Sequence, residues 1–213
     1  MNVEETKTLI KNFFESLYMK LKNEGEVLVK IPVIEGNEPM WAEGCVPDEE
    51  EWVTWRLLPA QVSDKEIAEL EESIGVKLPQ VLKIFLTTYF HYFYGGIGQN
   101  SVENKFEGIL DAWNPILVKN GYLPFAWDEE GYFIRCIDLK NMPDEEKCQV
   151  VQIDHEVMFG LEECEDISTA HGILFDFNEK MTRREELAEQ MQPIADNFFV
   201  YLEKLLQEKG AGM

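Results

Sequence analysis

The amino-acid sequence predicts an α+β protein in which helices pack against an antiparallel sheet. Apolar residues recur at three- and four-residue spacing in several segments, which is the period of amphipathic helices. Between residues 122 and 154, runs rich in β-branched and aromatic residues alternate with short polar turns, a pattern typical of neighbouring antiparallel strands. A chain of 213 residues suits one main domain with additions better than two equal domains.

The first fifty residues predict a helix and then a strand. Seven apolar residues share one helical face: Leu9, Ile10, Phe13, Phe14, Leu17, Tyr18 and Leu21. The helix is expected to end near Gly25, and Val27–Ile31 meets Pro32, which suits a strand at a sheet edge. We therefore expect residues 1–50 to form an extension that packs on a main domain of residues 51–213. Contact of the helix with a second copy or a partner groove is the alternative.

Two helices joined by a tight corner are predicted next. Ser63 and Glu66 form an S-x-x-E capping box, so a helix begins near Asp64. Gly75 ends that helix, and Pro79 suits the start of a second one because its missing N–H needs no partner there. Nine apolar residues leave the second helix almost no polar face: Val81, Leu82, Ile84, Phe85, Leu86, Tyr89, Phe90, Tyr92 and Phe93. Three glutamates of the first helix are expected to face water: Glu69, Glu71 and Glu72.

The second half of the chain predicts most of the strands. Three of them form an antiparallel meander: Tyr122–Trp127, Tyr132–Asp138 and Gln149–Asp154. Two further strands are predicted at Phe106–Leu110 and Glu156–Leu161. A short helix spans Asn114–Asn120, with Pro115 at its first position. Two helices end the chain, one from a capping box of Thr182 and Glu185 to Gln190, the other from Ile194, after Pro193, to Gly210.

Several short motifs carry a resemblance to a known family: Trp55 before Leu57-Leu58-Pro59; Ile67-x-x-Leu70-Glu71 in a helix that ends at Gly75; Lys77-Leu78-Pro79; and Tyr122-Leu123-Pro124-Phe125-Ala126 followed by Asp128 and Gly131. In these motifs the chain resembles the SUKH superfamily, which includes bacterial immunity proteins and fungal cell-wall-assembly regulators. The resemblance extends from Trp52 to the last helix, and it implies an α+β fold and protein binding without catalysis. The first fifty residues have no counterpart in the short members of the family.

The composition restricts the classes of partner. Forty-one acidic against nineteen basic residues give a formal net charge of −22, which repels nucleic acid and anionic membranes and attracts basic partners. Solubility alone is the alternative explanation of this charge. No apolar signal core and no apolar run of about 20 residues is present, so a cytoplasmic location is expected. Four cysteines without C-x-x-C spacing are expected to be free thiols: Cys45, Cys136, Cys148 and Cys164.

No motif of enzymatic chemistry emerges from the sequence. His91, His155 and His171 lie outside any zinc-binding pattern, and no G-x-S-x-G motif is present. The glycines of residues 95–98 follow a predicted helix and do not begin a phosphate-binding loop. We therefore expect no catalytic residue, no metal site and no cofactor.

Acidic residues are concentrated in two windows. Glu43–Glu51 holds five acidic residues and no basic one, whereas Asp128–Asp166 holds thirteen against three. We expect folding to gather these windows into one negative face that carries aromatic anchors, while Trp55 and Trp113 lie in the core. The predicted partner-binding residues are Glu49, Glu50, Glu51, Trp52, Asp128, Glu129, Glu162, Glu163 and Asp166.

Together these observations predict a cytoplasmic immunity-type protein. It is expected to bind and neutralise a basic polymorphic toxin domain, such as a nuclease, because an acidic protein can occupy the basic cleft with which a nuclease binds phosphates. The alternative function is a regulatory scaffold or adaptor that binds signalling proteins, similar to the fungal branch of the superfamily. We expect a monomer or a weak dimer that binds neither nucleic acid nor membrane.

Overall fold

The computed structural model describes residues 2–158 and 183–208. Within them the helices are α1 (Val3–Glu24), α2 (Asp64–Ile74), α3 (Gln80–Thr88), α4 (Glu107–Ala112), α5 (Pro115–Lys119), α6 (Arg184–Gln190) and α7 (Phe198–Glu208). The strands are β1 (Lys30–Pro32), β2 (Trp52–Thr54), β3 (Leu58–Pro59), β4 (Tyr89–Phe90), β5 (Tyr122–Trp127), β6 (Phe133–Asp138), β7 (Val150–Asp154) and β8 (Gln192–Ala195). Over the same residues, no helix has the length and apolar character needed to cross a membrane.

The predicted α+β architecture and its antiparallel meander are confirmed. Strands β5, β6, β7 and β8 form one sheet in that order, and β1–β2 and β3–β4 form two smaller antiparallel pairs. Both outer strands of the main sheet contain a proline, Pro124 in β5 and Pro193 in β8, and each lies beside a shift in strand register. Successive side chains of β5 enter two different apolar clusters, with Tyr122 in one and Leu123 in the other. The sheet is therefore buried on both faces.

Helix α1 belongs to the larger of these clusters. Phe14 is fully buried, and its ring centroid lies 4.8 Å from that of Phe85 in α3 and 6.1 Å from that of Phe93. The Tyr18 hydroxyl donates a hydrogen bond of 2.5 Å to the backbone carbonyl of Trp55, which is itself buried. These contacts attach the N-terminal helix to the centre of the fold.

The corner between α2 and α3 is as predicted, with one correction. Ser63 and Glu66 form the capping box, and Gly75 adopts the left-handed conformation that ends α2. Glu71, however, does not face water. It is buried. Its carboxylate accepts hydrogen bonds from Lys77 Nζ at 2.6 Å and the Leu78 N–H at 2.9 Å and pairs with Lys83 Nζ at 2.6 Å, and these contacts compensate for the loss of water.

Helix α3 receives its N-terminal cap from a distant loop. Pro79 precedes the helix and offers no side-chain cap, so the first N–H groups of α3 need another acceptor. Glu145 supplies it, with carboxylate oxygens 2.6 Å from Gln80 N and 3.0 Å from Val81 N. A negative charge at this helix end is also favourable because of the helix dipole.

The second predicted helix is too long. α3 ends at Thr88, and Tyr89–Phe90 forms β4, which pairs with Leu58–Pro59. The Thr87 and Thr88 hydroxyls donate to backbone carbonyls in the last turn of α3, which favours the end of a helix. The sequence Tyr89–Phe93 was assigned to the helix because, in a short apolar segment, a buried strand and a buried helix have the same pattern of apolar residues.

The segment Phe106–Leu110 was predicted as a strand, and this prediction is wrong. Phe106 has a φ of 63°, and helix α4 begins directly after it. The buried side chain of Asn100 accepts a hydrogen bond of 3.0 Å from the Phe106 N–H, which stabilises this turn. A Cβ added at Gly108 would lie 2.5 Å from the Gly98 Cα, so the two backbones approach each other as only glycine allows.

Other element boundaries also differ from the prediction. The strand expected at Val27–Ile31 begins at Lys30, after a 3₁₀ turn at Glu26–Val29. Residues 155–158 are helical and include the first three residues of the strand expected at Glu156–Leu161, whose other residues lie outside the described residues. Arg183 is the N-cap of α6, in place of Thr182, which lies outside the described residues. Ile194 belongs to β8, so the last helix begins at Phe198; its expected stop, Gly210, also lies outside the described residues.

The first testable prediction concerns Glu71. Burial raises the pKa of this carboxyl group, but the hydrogen bonds from Lys77, Lys83 and the Leu78 N–H outweigh it and hold the pKa at about 2. Glu71→Ala leaves the Leu78 N–H unpaired and Lys83 without its counter-ion. We expect the free energy of unfolding to fall by about 2–4 kcal/mol. Urea unfolding measures this change.

The neighbouring Glu72 is the matched control, since it is exposed on the same helix. Glu72→Ala is expected to change the free energy of unfolding by less than about 0.5 kcal/mol. Equal effects of the two substitutions would contradict a structural role for Glu71.

The second prediction concerns pH. His91 is fully buried among the rings of Phe14, Phe85 and Phe93, and this burial lowers its pKa from 6.5 to about 3. The unfolded chain therefore binds a proton that the folded chain excludes, so stability is fully present above pH 6.5 and is lost as the pH falls towards 3. The expected slope approaches about 1.4 kcal/mol per pH unit from this group.

Because Phe14, Phe85 and Phe93 carry no titratable group, His91→Phe isolates the contribution of this one side chain. Unfolding of both proteins between pH 7 and 5 is the measurement, and the variant is expected to lose this part of the slope. An unchanged slope would show that His91 takes up its proton in the folded state.

Candidate interaction surface

The first predicted group of binding residues lies in the turn that leads into β2. Glu49, Glu50, Glu51 and Trp52 are all exposed. Asp48 organises this turn, because its carboxylate accepts hydrogen bonds from the N–H groups of Glu50 and Trp52 and pairs with Lys30 Nζ at 2.6 Å. The hydrogen bonds with Lys30 and the turn N–H groups lower the pKa of Asp48.

The second predicted group lies in the turn between β5 and β6. Asp128 closes this turn, since its carboxylate accepts a hydrogen bond of 3.0 Å from the Phe133 N–H. Glu129 and Glu130 are exposed at the tip. The other predicted residues of this window, Glu162, Glu163 and Asp166, lie outside the described residues. We call Asp48–Glu51 the first acidic turn and Asp128–Gly131 the second acidic turn.

Each acidic turn contacts a residue that lines one cleft. This cleft has a volume of about 360 Å³ and includes Lys30, Tyr94 and Gly95 in its lining. Lys30 is the partner of Asp48 in the first acidic turn. On the other side, Glu129 of the second acidic turn lies so close to Gly95 that a Cβ added there would be 2.8 Å from the Glu129 Cα.

A smaller pocket beside the cleft carries further acidic side chains. Its volume is about 60 Å³, and Glu107, Asp111 and Asp128 line it together with Tyr94 and Trp127. The Trp127 indole N–H donates a hydrogen bond of 3.2 Å to the backbone carbonyl of Asp111, which orients the ring at the pocket. We call this the acidic pocket.

The carboxylates of the acidic pocket repel one another. Burial, Asp111 and Glu103 all raise the pKa of Glu107, in that order of importance. Within residues 2–158 and 183–208, neither Glu107 nor Asp111 forms a salt bridge with a lysine or arginine. The pocket is therefore suited to a positively charged group from outside.

Some acidic residues of the two windows serve the fold itself. Asp138 binds the Arg184 guanidinium at 2.5 Å, Asp144 pairs with Lys147 at 2.6 Å, and Glu145 caps α3. These carboxylates are occupied by internal partners, whereas Glu107 and Asp111 have no lysine or arginine partner in the described parts of the chain. Fewer acidic residues of the windows are therefore available to a partner than the sequence suggested, while Glu107 and Asp111 add negative charge from α4, outside the windows.

The predictions for tryptophan were half right. Trp55 is buried as expected, with 1% exposure, but Trp113 is 41% exposed and donates its indole N–H to the Ile74 carbonyl. Trp52 is 39% exposed beside the first acidic turn. Among the described residues, Tyr94 has the most exposed of the large aromatic side chains, at 73%. Because it lines both the cleft and the acidic pocket, Tyr94 is the better candidate anchor.

The sequence did not point to Glu107 and Asp111, because both lie outside the two acidic windows and Glu107 lies in a segment predicted as a strand. The signal was present, since two acidic residues four positions apart lie on the same face of a helix. No group of His, Cys, Asp and Glu residues suited to a metal ion occurs in the described parts of the chain. Cys45, Cys136 and Cys148 are free thiols there, and Cys164 lies outside the described residues.

Comparison with known proteins gives one finding. The model of the family described as SMI1-KNR4 cell-wall, within the SUKH group, matches residues 48–168. No curated protein and no solved structure matches the chain. The family match contains both acidic turns and the acidic pocket but leaves α1 and β1 outside it.

The third testable prediction concerns the loss of folding stability caused by charge repulsion in the acidic pocket. Glu107→Gln removes one of the repelling charges, so we expect the melting temperature at low salt to rise by a small amount, equivalent to a few tenths of a kcal/mol. High salt is expected to abolish the difference because it screens the repulsion. Thermal unfolding at two ionic strengths measures both effects.

The control for this prediction is Glu69→Gln, which breaks an exposed pair with Lys65. This variant is expected to be no more stable than the natural chain at low salt. A lower melting temperature for Glu107→Gln would contradict the description of the pocket as repulsive.

Proposed function

The chain belongs to the SMI1-KNR4 cell-wall family of the SUKH superfamily, and from this membership we propose that it is an immunity-type protein that neutralises a basic toxin by binding it. The observation that supports this proposal is the acidic pocket beside Tyr94, which Asp128 of the second acidic turn helps to line, together with the first acidic turn, whose Asp48 pairs with Lys30 in the lining of the adjoining cleft. We propose the cytoplasm as the place of binding and a monomer or weak dimer as the active form.

Neutralisation of this kind needs no reaction. A nuclease domain that binds phosphates presents basic side chains in a cleft, and an acidic surface of matching shape covers that cleft. Long-range attraction between the two surfaces raises the association rate, while aromatic anchors at the centre slow dissociation. The exposed glutamates of both turns suit the first role, and Tyr94 and Trp127 suit the second.

An affinity pull-down from the source cell tests the proposal directly. The recovered partner is then produced alone, and its toxicity is measured with and without this chain. A basic partner that kills cells alone and is harmless beside this chain would support neutralisation. A non-toxic signalling protein as the reproducible partner would favour the regulatory scaffold instead.

The fourth testable prediction uses charge reversal. Two double variants reverse exposed residues of the acidic turns, Glu49→Lys with Glu50→Lys and Glu129→Lys with Glu130→Lys. Each is expected to lower the association rate with the recovered partner by about tenfold or more at low salt, and to weaken its salt dependence. Stopped-flow binding at several ionic strengths is the measurement.

The matched control reverses two exposed lysines of α1, Lys7→Glu with Lys11→Glu, which lie on a charge-balanced segment. All variants are compared after their melting temperatures have been shown to agree. An equal or smaller loss in the acidic-turn variants than in this control would leave the acidic residues as a solubility feature.

A further inference from the structure

The cleft beside Tyr94 has an apolar interior that the electrostatic proposal does not use. Its lining includes Leu17, Leu21 and Leu28 from the N-terminal segment, and Trp55, Phe93 and Ile97 from the part of the chain that follows. A volume of about 360 Å³ lies in the range of protein pockets that bind small organic groups. The cleft can therefore accept a large apolar side chain.

The N-terminal segment builds one wall of this cleft. Leu17 and Leu21 come from α1, and Leu28 follows it in the 3₁₀ turn. All three lie before residue 48, where the family match begins. The family match therefore does not include the residues that form this wall of the cleft.

The charges around the cleft select the kind of segment that carries the apolar group. Lys30 is the basic residue of the described lining, and Asp48 neutralises it at 2.6 Å. Tyr94 and Gly95 separate the cleft from the acidic pocket, in which Glu107 and Asp111 have no lysine or arginine partner among residues 2–158 and 183–208. An apolar side chain in the cleft would therefore place its sequence neighbours beside carboxylates.

We propose that the cleft receives an apolar or aromatic side chain from a basic segment of the partner protein, while an adjacent lysine or arginine of that segment enters the acidic pocket on the other side of Tyr94. This inference rests on the proposed function, because it names the chemistry of the partner at the same surface. It also gives α1 a direct contact with the partner through Leu17 and Leu21, although the balanced charge of this helix suggested no contact.

Short peptides test this inference on the full chain before the partner itself is identified. The probes are acetylated, amidated pentapeptides: Gly-Lys-Trp-Lys-Gly, the same peptide with alanine in place of tryptophan, and the same peptide with glutamate in place of both lysines. Dissociation constants and shifts of assigned methyl and backbone resonances are measured by NMR. The first peptide is expected to bind about tenfold more tightly than either of the others, with shifts at Leu21, Ile97 and Tyr94.

Two variants and one control locate the site. Tyr94→Ala removes an exposed ring that lines both the cleft and the acidic pocket. Leu21→Gln places an amide in the lining of the cleft. Both are expected to weaken binding of the first peptide about tenfold. Leu9→Gln is the control, since Leu9 is 48% exposed on the same helix and does not line the cleft.

The outcomes separate this inference from the proposed function. Equal binding of the tryptophan and alanine peptides, with shifts confined to the acidic turns, overturns the inference and leaves the acidic surface in place. Equal binding of the lysine and glutamate peptides overturns both the inference and the electrostatic basis of the proposed function. Shifts of the cleft resonances that grow with protein concentration alone assign the cleft to a second copy and overturn the inference. Failure of all three peptides also overturns it, while the pull-down decides the proposed function independently.

Discussion

The packing of Phe14 against Phe85 and Phe93 is the contact on which the arrangement of the surface depends. It places α1 against the centre of the core, although α1 lies outside the part of the chain that matches the family. Close-packed aromatic rings leave little freedom for a helix to slide or rotate. The leucines at the far end of α1 are therefore held in position beside Trp55, and the cleft has a rigid wall.

The acidic residues divide into two groups with different physical roles. Glu71, Asp138 and Glu145 are paired with lysine, arginine or backbone N–H groups, so their charges stabilise corners and helix ends. Glu107 and Asp111 lie close together, and their repulsion opposes folding. Locally unfavourable arrangements of this kind are expected at functional sites, which is why the second group is part of the binding surface that we propose.

An acidic surface next to an apolar cleft combines two different contributions to binding. Charge acts over a distance of about 10 Å at moderate salt and mainly governs how fast the partner arrives. Apolar burial acts only on contact and mainly governs how long the partner stays. At this surface Tyr94 belongs to both regions, so one exposed ring connects them.

The sequence by itself determined the features that depend on local chemistry: the Ser63 cap, the Gly75 stop, the period of α1, the meander of β5, β6 and β7, and the family. Local patterns sufficed there because capping, turn conformation and periodicity involve residues close in the chain. Tertiary structure decided whether Tyr89–Phe90 continues a helix or forms a strand, because its pairing strand, Leu58–Pro59, is distant in sequence. It also decided that a helix, and not a strand, follows Phe106. It further decided which carboxylates are paired inside the protein and which are exposed, since Glu71 and Glu72 are neighbouring glutamates that differ only in what the fold brings beside them.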